Sequence, residues 1–309
     1  MTVRKLRMAK TRPRLPDWFR TRLPSGEMQR KFNETKATVK DNTLHTVCQE
    51  ARCPNIHECW AAKDATFMVA GQECTRACRF CAVGSIKIPP PLDENEPDTL
   101  ADAVATMDLN HAVITVVNRD DLPDSGAAHY RKCLEAVRER TPNVSLELLC
   151  SDLAGDHQAL ADLLAGLDLE VFAHNVECVP RLDRRVRDRR ASFDQSIGIL
   201  KEAKRLRPDI LTKSSIMVGL GETDEEITEA LKSLRNAGVD LVTIGQYLAP
   251  SPKHLPVDRF PEPVRYDEWS YQIEEMGFLG WACGPLVRSS YKAGELLARA
   301  SARLRTEKE

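Results

Sequence analysis

From about residue 64 the chain alternates short apolar runs with amphipathic stretches, a rhythm that few folds accommodate. The runs are ATFMVA (65–70), AVITVV (112–117), VSLELL (144–149), LEVFAH (169–174), LTKSSIMV (211–218) and DLVTIG (240–245). They are short, β-branched and nearly continuous in apolar character, as strands buried on both faces should be. Between them, 98–108, 127–140, 194–206 and 224–236 carry the polar/apolar period of helices. Thr223 and Glu226 fit a capping box opening the last of these. Six strand–helix repeats imply a parallel sheet with right-handed crossovers. Six units are too few for a complete eight-stranded barrel, so the expected fold is α/β, an open, partial (β/α)6 parallel barrel over 64–280. Residues 1–63 and 281–309 fall outside the repeats and are expected to be N- and C-terminal extensions that cap it.

At 309 residues the chain is long enough to bury such a barrel. Its net charge of −2 makes no case for nucleic acid or a membrane surface as a partner. No apolar run approaches the roughly 18 residues needed to span a bilayer. The first residues, MTVRKLRMAKTRPRLPDWFRTRLP, are basic but lack an apolar signal region and are broken by prolines. They read as an extended basic arm, and the expected location is cytoplasmic.

Ten cysteines then demand an account. Without a signal peptide disulfides are disfavoured, because the cytosol keeps thiols reduced. Cys133, Cys150, Cys178 and Cys283 are scattered singly and read as small core residues. The other six lie between Cys48 and Cys81 and suggest metal. In GQECTRACRFCAVG (71–84), Cys74, Cys78 and Cys81 have no local fourth partner. Each iron of a 4Fe–4S cube needs one outside ligand, so three thiolates leave one iron open to a small molecule. The alternatives are an apolar helix stripe or a zinc site completed by a distant histidine. Phe80, between the last two cysteines, is a candidate cofactor contact or a core residue. CQEARCPNIHECW holds a second triplet, Cys48, Cys53 and Cys59, again without a fourth thiol. Two triplets this close argue for two clusters, the alternative being one larger or zinc-type site using His45 or His57.

The spacing C-x3-C-x2-C after the first strand of a parallel barrel resembles the radical S-adenosylmethionine (SAM) superfamily. That resemblance implies a barrel of the radical SAM type, with SAM chelating the open iron and yielding a 5′-deoxyadenosyl radical. With both triplets and the distal GPLVRSSYKAGE (284–295), the chain is similar to the lipoyl synthases. The similarity runs through ARCPNIHECW, CTRACRFCAV, PPPLDENEP, VVNRDDLPDSGAAH, HNVECVPRL, KSSIMVGLGET and TIGQYLAPSPKHLPV. It implies insertion of two sulfur atoms at C6 and C8 of a protein-bound octanoyl-lysine, with two 4Fe–4S clusters and SAM as co-substrate. The auxiliary cluster, on Cys48, Cys53 and Cys59, would donate the sulfur, and its fourth ligand maps to the Ser289/Ser290 pair, with Ser290 favoured. Implied partners are octanoylated lipoyl domains of 2-oxoacid dehydrogenases and the glycine-cleavage carrier protein, a low-potential electron donor, and an iron–sulfur carrier that rebuilds the cluster.

Further candidates lie in the polar stretches at the carboxyl ends of the expected strands, where parallel barrels carry active sites. Asn175 and Glu177 are expected to face the mouth and bind SAM. Asp120, Asp121 and Asp124 either bind its ammonium group or shape a turn. Lipoyl synthases usually have two glycines where this chain has Ser125–Gly126. RLDRRVRDRR (181–190) is the most basic internal stretch, either a solvated loop or an attractor for an acidic carrier. The rival functions are a sulfur-inserting enzyme of the biotin synthase type, a non-catalytic two-cluster electron carrier, and a zinc-binding regulatory module.

Overall fold

Among the described residues, seven parallel strands, one more than expected, form the main sheet. The computed structural model describes residues 14–20, 24–41, 46–50 and 53–306. Most of the basic N-terminal arm lies outside them, as does His45. Helices α1 (Gly26–Asp41), α2 (Val47–Glu50) and α3 (Ile56–Ala61) precede strand β1 (Asp64–Val69). Two short strands, β2 (Glu73–Cys74) and β3 (Gly84–Ser85), pair with each other. The alternation continues through α4 (Glu96–Thr106), β4 (His111–Val116), α5 (Ala127–Arg140), β5 (Ser145–Leu149), α6 (His157–Leu164) and β6 (Val171–Ala173). It ends with α7 (Asp183–Val186), α8 (Phe193–Leu206), β7 (Leu211–Val218), α9 (Asp224–Asn236), β8 (Leu241–Gln246), α10 (Pro263–Glu275), β9 (Gly280–Gly284) and α11 (Ala293–Thr306).

Strand order is β1-β4-β5-β6-β7-β8-β9, every neighbouring pair parallel. The edge strands do not pair with each other among the described residues, so the barrel stays open as expected. Helices α5 and α9 and strand β7 occupy the expected spans residue for residue. The capping box is formed too: Glu226 N–H donates to Thr223 Oγ1, and Thr223 N–H donates to the Glu226 carboxylate at 2.8 Å.

The extra strand has a simple cause. β9 reads GWACG, with two glycines and no β-branched residue, so it carries little strand character of its own. Its place is set by β8, in the register Leu241↔Gly280 to Gly245↔Gly284. The expected boundary at 280/281 therefore falls inside a strand. Inside the sheet a buried ion pair crosses from β7 to β5: Lys213 Nζ lies 2.8 and 2.9 Å from the two Glu147 oxygens. His111 of β4 stands beside them, its Nε2 3.8 Å from Glu147.

Candidate metal centres and cofactor site

Cys48 on α2, Cys59 on α3 and Cys53 between them line one cavity with Arg288, Ser290 and Tyr291 from the segment after β9. Its empty volume is about 340 Å³, mouth included, and β1 supplies Asp64, Ala65 and Thr66 to the wall. Three hydrogen bonds hold the late segment there. Asn55 Nδ2 donates to Leu286 O at 2.6 Å, Tyr291 O–H to Glu58 Oε2 at 2.7 Å, and Gly294 N–H to Asp64 Oδ2 at 3.2 Å. Ser290 lines the cavity, whereas Ser289 is not among its lining residues.

Burial raises the pKa of all three thiols, that of Cys59 to about 12. Metal-free, they therefore stay protonated, and binding iron would release those protons. Among the described residues, Arg288 is the only cation in the lining. Its Nη1 donates to Val287 O at 2.8 Å, and its charge favours the Cys53 thiolate against the larger effect of burial. Three soft thiols and one hydroxyl converging on a cavity fit a cubane with a single oxygen ligand. His57, considered as a zinc ligand, does not line this cavity; its ring packs on Phe32 with centroids 4.3 Å apart.

The other triplet follows β1 through a sharp turn in which Ala70 and Gly71 take φ of 69° and 97°. Its loop is framed by β2 and β3, and Cys81 N–H donates to Cys78 O at 3.1 Å. Amides from other loops reach the sulfurs. Asn118 N–H, after β4, lies 3.3 Å from Cys74 Sγ, and Asp188 N–H, after α7, lies 3.3 Å from Cys78 Sγ. Arg76, buried between the first two cysteines, bridges Asp120 and Asp152 at 2.6 Å each. Asp120 is thus committed to Arg76. Asp121 pairs with Arg119 at 2.9 Å, and Asp124 accepts from the Gly126 and Ala128 amides, so these two shape the turn. In that turn Ser125 has φ 54° and Gly126 φ 91°. Both are left-handed positions that glycine occupies without strain. Burial raises the Cys81 thiol and pushes Cys78 up to about 11.

Beside this loop lie the expected cofactor residues. Glu177 has φ 66° and rejoins the sheet by a bridge to Ile216: its N–H donates to Ser215 O at 3.1 Å, and Met217 N–H donates to its carbonyl at 2.8 Å. A left-handed non-glycine residue is strained, and such strain gathers at functional sites. Burial raises the Glu177 pKa, opposed by Arg187 and by a hydrogen bond from Asn175; its charge is felt at Cys78 and Cys81. Arg187 is 6% exposed. Its Nη2 donates to Ser196 Oγ at 2.8 Å, but Nη1 is buried with no hydrogen-bond partner, 3.6 Å from Asp183. A guanidinium nitrogen without a hydrogen bond, whose charge is felt at Glu177 and Cys78, fits a ligand carboxylate. Phe80 is half-buried against the apolar cluster of β7, β8 and α9.

Sequence reasoning missed Arg187, seeing only one basic residue in a run. That run divides. Arg181 pairs with Glu226 at 2.6 Å and Arg190 with Asp188 at 2.9 Å, while Arg184, Arg185 and Arg189 are exposed without a carboxylate partner among the described residues. Cys133, Cys150 and Cys178 are buried and Cys283 packs against the core, as expected. Glu96, His129 and Cys133 also converge. There Glu96 Oε2 is 2.5 Å from His129 Nε2 and takes the Ala70 amide at 2.8 Å, so these two ligand atoms already bond each other.

Comparison with known proteins agrees with this geometry. A model of the radical SAM superfamily matches residues 68–234, and one for the N-terminal domain of lipoyl synthase matches residues 2–53. The mitochondrial lipoyl synthase of Bos taurus is 49% identical over 294 residues, covering 93% of this chain and 78% of that one. That of Homo sapiens is 48% identical with the same coverage. Among solved structures, the FeFe-hydrogenase maturase HydG from Carboxydothermus hydrogenoformans superposes with TM-score 0.56 at 12% identity, over 89% of this chain and 75% of that one. Methylornithine synthase does so with TM-score 0.54 at 14% identity, over 82% and 71%. At such identities these two share the fold alone, a curled half-barrel of parallel strands.

Proposed function

This chain belongs to the lipoyl synthase family of the radical SAM superfamily, and we propose that its two cysteine triplets divide the chemistry between them. The reaction is insertion of two sulfur atoms at C6 and C8 of an octanoyl-lysine on a lipoyl domain, with SAM and two 4Fe–4S clusters. In this reading Cys74, Cys78 and Cys81 hold the catalytic cluster, and Cys48, Cys53, Cys59 and Ser290 hold the auxiliary one, which is the sulfur substrate. When bound, the catalytic cluster and SAM together supply a 5′-deoxyadenosyl radical that removes hydrogen from carbon. Arg187 offers its orphaned Nη1 to the SAM carboxylate. Asn175 and Glu177 offer acceptors to its ribose or amino group, and Phe80 closes the pocket beside them. By role, residues 1–63 and 281–309 supply the auxiliary ligands and 64–280 the radical site.

One observation carries this reading: Ser290, from the far end of the chain, lines the same cavity as Cys48, Cys53 and Cys59. A zinc module or an electron carrier closed by four thiols has no use for that arrangement. The test is anaerobic incubation of reconstituted protein with reductant, SAM and an octanoyl-lysine peptide. The peptide should gain two sulfurs. In Cys48→Ala that gain should vanish while SAM cleavage persists. Undiminished sulfur gain in Cys48→Ala would overturn the assignment of the donor.

The lipoyl-domain substrate follows from the family; its origin, in a 2-oxoacid dehydrogenase or the glycine-cleavage carrier, is separated by comparing the two as substrates. A low-potential donor and an iron–sulfur carrier complete the cycle. The mitochondrial names of the relatives lend no support to the expected cytoplasmic location and favour an organelle, a choice that cell fractionation decides.

A further inference from the structure

We infer that Asp188 and Arg190 form a clasp that seats the Cys74–Cys81 loop and tunes the electron affinity of the cluster it holds. The inference rests on the assignment of these cysteines to the radical site. Asp188 touches the loop twice: its N–H donates to Cys78 Sγ at 3.3 Å, and its Oδ2 accepts the Ala77 N–H at 3.0 Å. Its Oδ1 accepts the backbone N–H of Arg190 at 3.0 Å and the Arg190 Nε–H at 2.9 Å. Arg190 then reaches back over the loop, donating from Nη2 to Thr75 O at 2.5 Å and placing Nη1 3.3 Å from Asp120 Oδ2. Thr75 and Ala77 flank Arg76, which Asp120 and Asp152 already anchor. Every residue between Cys74 and Cys78 is therefore tied to a neighbouring loop, two of the three by this pair.

An N–H aimed at a ligating sulfur stabilises the extra electron of a reduced cluster and raises its potential. Asp188 supplies such an N–H to Cys78, and its own carboxylate fixes where that amide points. Asp188 and Arg190 are thus positioning residues, committed to the cluster loop and not to a partner.

The experiment is an anaerobic redox titration of holoenzyme, following the paramagnetic signal that shifts when SAM is added, which marks the cluster with the open iron. In Asp188→Ala the midpoint should move away from the wild-type value and SAM cleavage should slow about tenfold, the lower end of what lost outer contacts cost. Arg190→Lys keeps the charge without the fork and should fall between. In metal-free protein, exchange of the Ala77 amide should quicken in Asp188→Ala while that of Val113 in β4 stays unchanged. A wild-type midpoint in both variants would overturn the inference, even if both melted earlier, because the pair would then be structural only. Absence of any SAM-responsive signal in wild-type holoenzyme would instead overturn the radical-site assignment beneath it.

Discussion

Tyr291 donates its hydroxyl to Glu58 Oε2 across 2.7 Å, joining the segment that carries Ser290 to the helix that carries Cys59. The bond is half-buried, and a hydrogen bond to a charged acceptor in such a place contributes on the order of 1 kcal/mol. Tyr291→Phe keeps the ring and removes the tie. Iron release to a chelator should then show one phase about fivefold faster, that of the auxiliary cluster, with the other unchanged. Equal acceleration of both phases would mean that the tie stabilises the whole fold and not this cavity.

In the proposed ligand set Ser290 would offer iron an oxygen where the three cysteines of its cavity would offer thiolates. An alkoxide is a harder, less matched ligand than a thiolate, so its iron should leave first when sulfur is withdrawn. Ser290→Cys should load at least as much iron as wild type yet insert sulfur at least tenfold more slowly. Iron content and lipoyl product are both measured; full sulfur insertion by this variant would refute the weak-ligand rationale.

These two residues also mark how far the sequence could be read. The sheet was legible because buried strands and amphipathic helices repeat at short range, down to the ends of α5, α9 and β7. The two cysteine triplets were legible as groups because their spacing is local in the chain. That Ser290 and not Ser289 would line the cavity of the first triplet came from family resemblance alone, since nothing local distinguishes the two. Arg187 was hidden because its burial depends on the path between β6 and α8. Glu147 and Lys213, 66 residues apart, become partners only through the strand order β5-β6-β7.

That last pair supports a sharp stability prediction. Lys213 and Glu147 are both 1% exposed, so removing Lys213 leaves a buried carboxylate with only His111, 3.8 Å away, beside it. Lys213→Met should destabilise by about 3–5 kcal/mol. The double variant Lys213→Met with Glu147→Leu should recover most of that loss. Chemical denaturation of all three proteins checks it, and strict additivity would show that the pair is not coupled.

Arg184, Arg185 and Arg189 are exposed without carboxylate partners among the described residues, and like Asn175 and Glu177 they follow β6. Such a patch attracts an acidic carrier domain over a range of about 8 Å at physiological ionic strength. Raising salt should increase the KM for the carrier protein but not for a short neutral octanoyl peptide, and charge reversal at all three should do the same at low salt. A carrier KM indifferent to both would leave these arginines as a solvated face.

His174 carries the pH prediction. Its Nδ1–H donates to Cys150 O at 2.9 Å, and its Nε2 accepts from Ser196, 2.9 Å away, whose oxygen in turn accepts from Arg187. With a neutral imidazole the chain Arg187 to Ser196 to His174 is complete, each donor meeting an acceptor. Burial is the main reason that His174 resists protonation, its pKa falling from 6.5 to about 4. Between those values the unfolded chain holds a proton that the folded chain refuses, so stability rises with pH there. The contribution is fully present above pH 6.5 and is lost as pH falls toward 4, by about 3 kcal/mol at most. Denaturation curves of metal-free protein across this window should show the slope, and His174→Asn, which cannot titrate, should flatten it. An equally steep slope in that variant would assign the acid sensitivity to other groups.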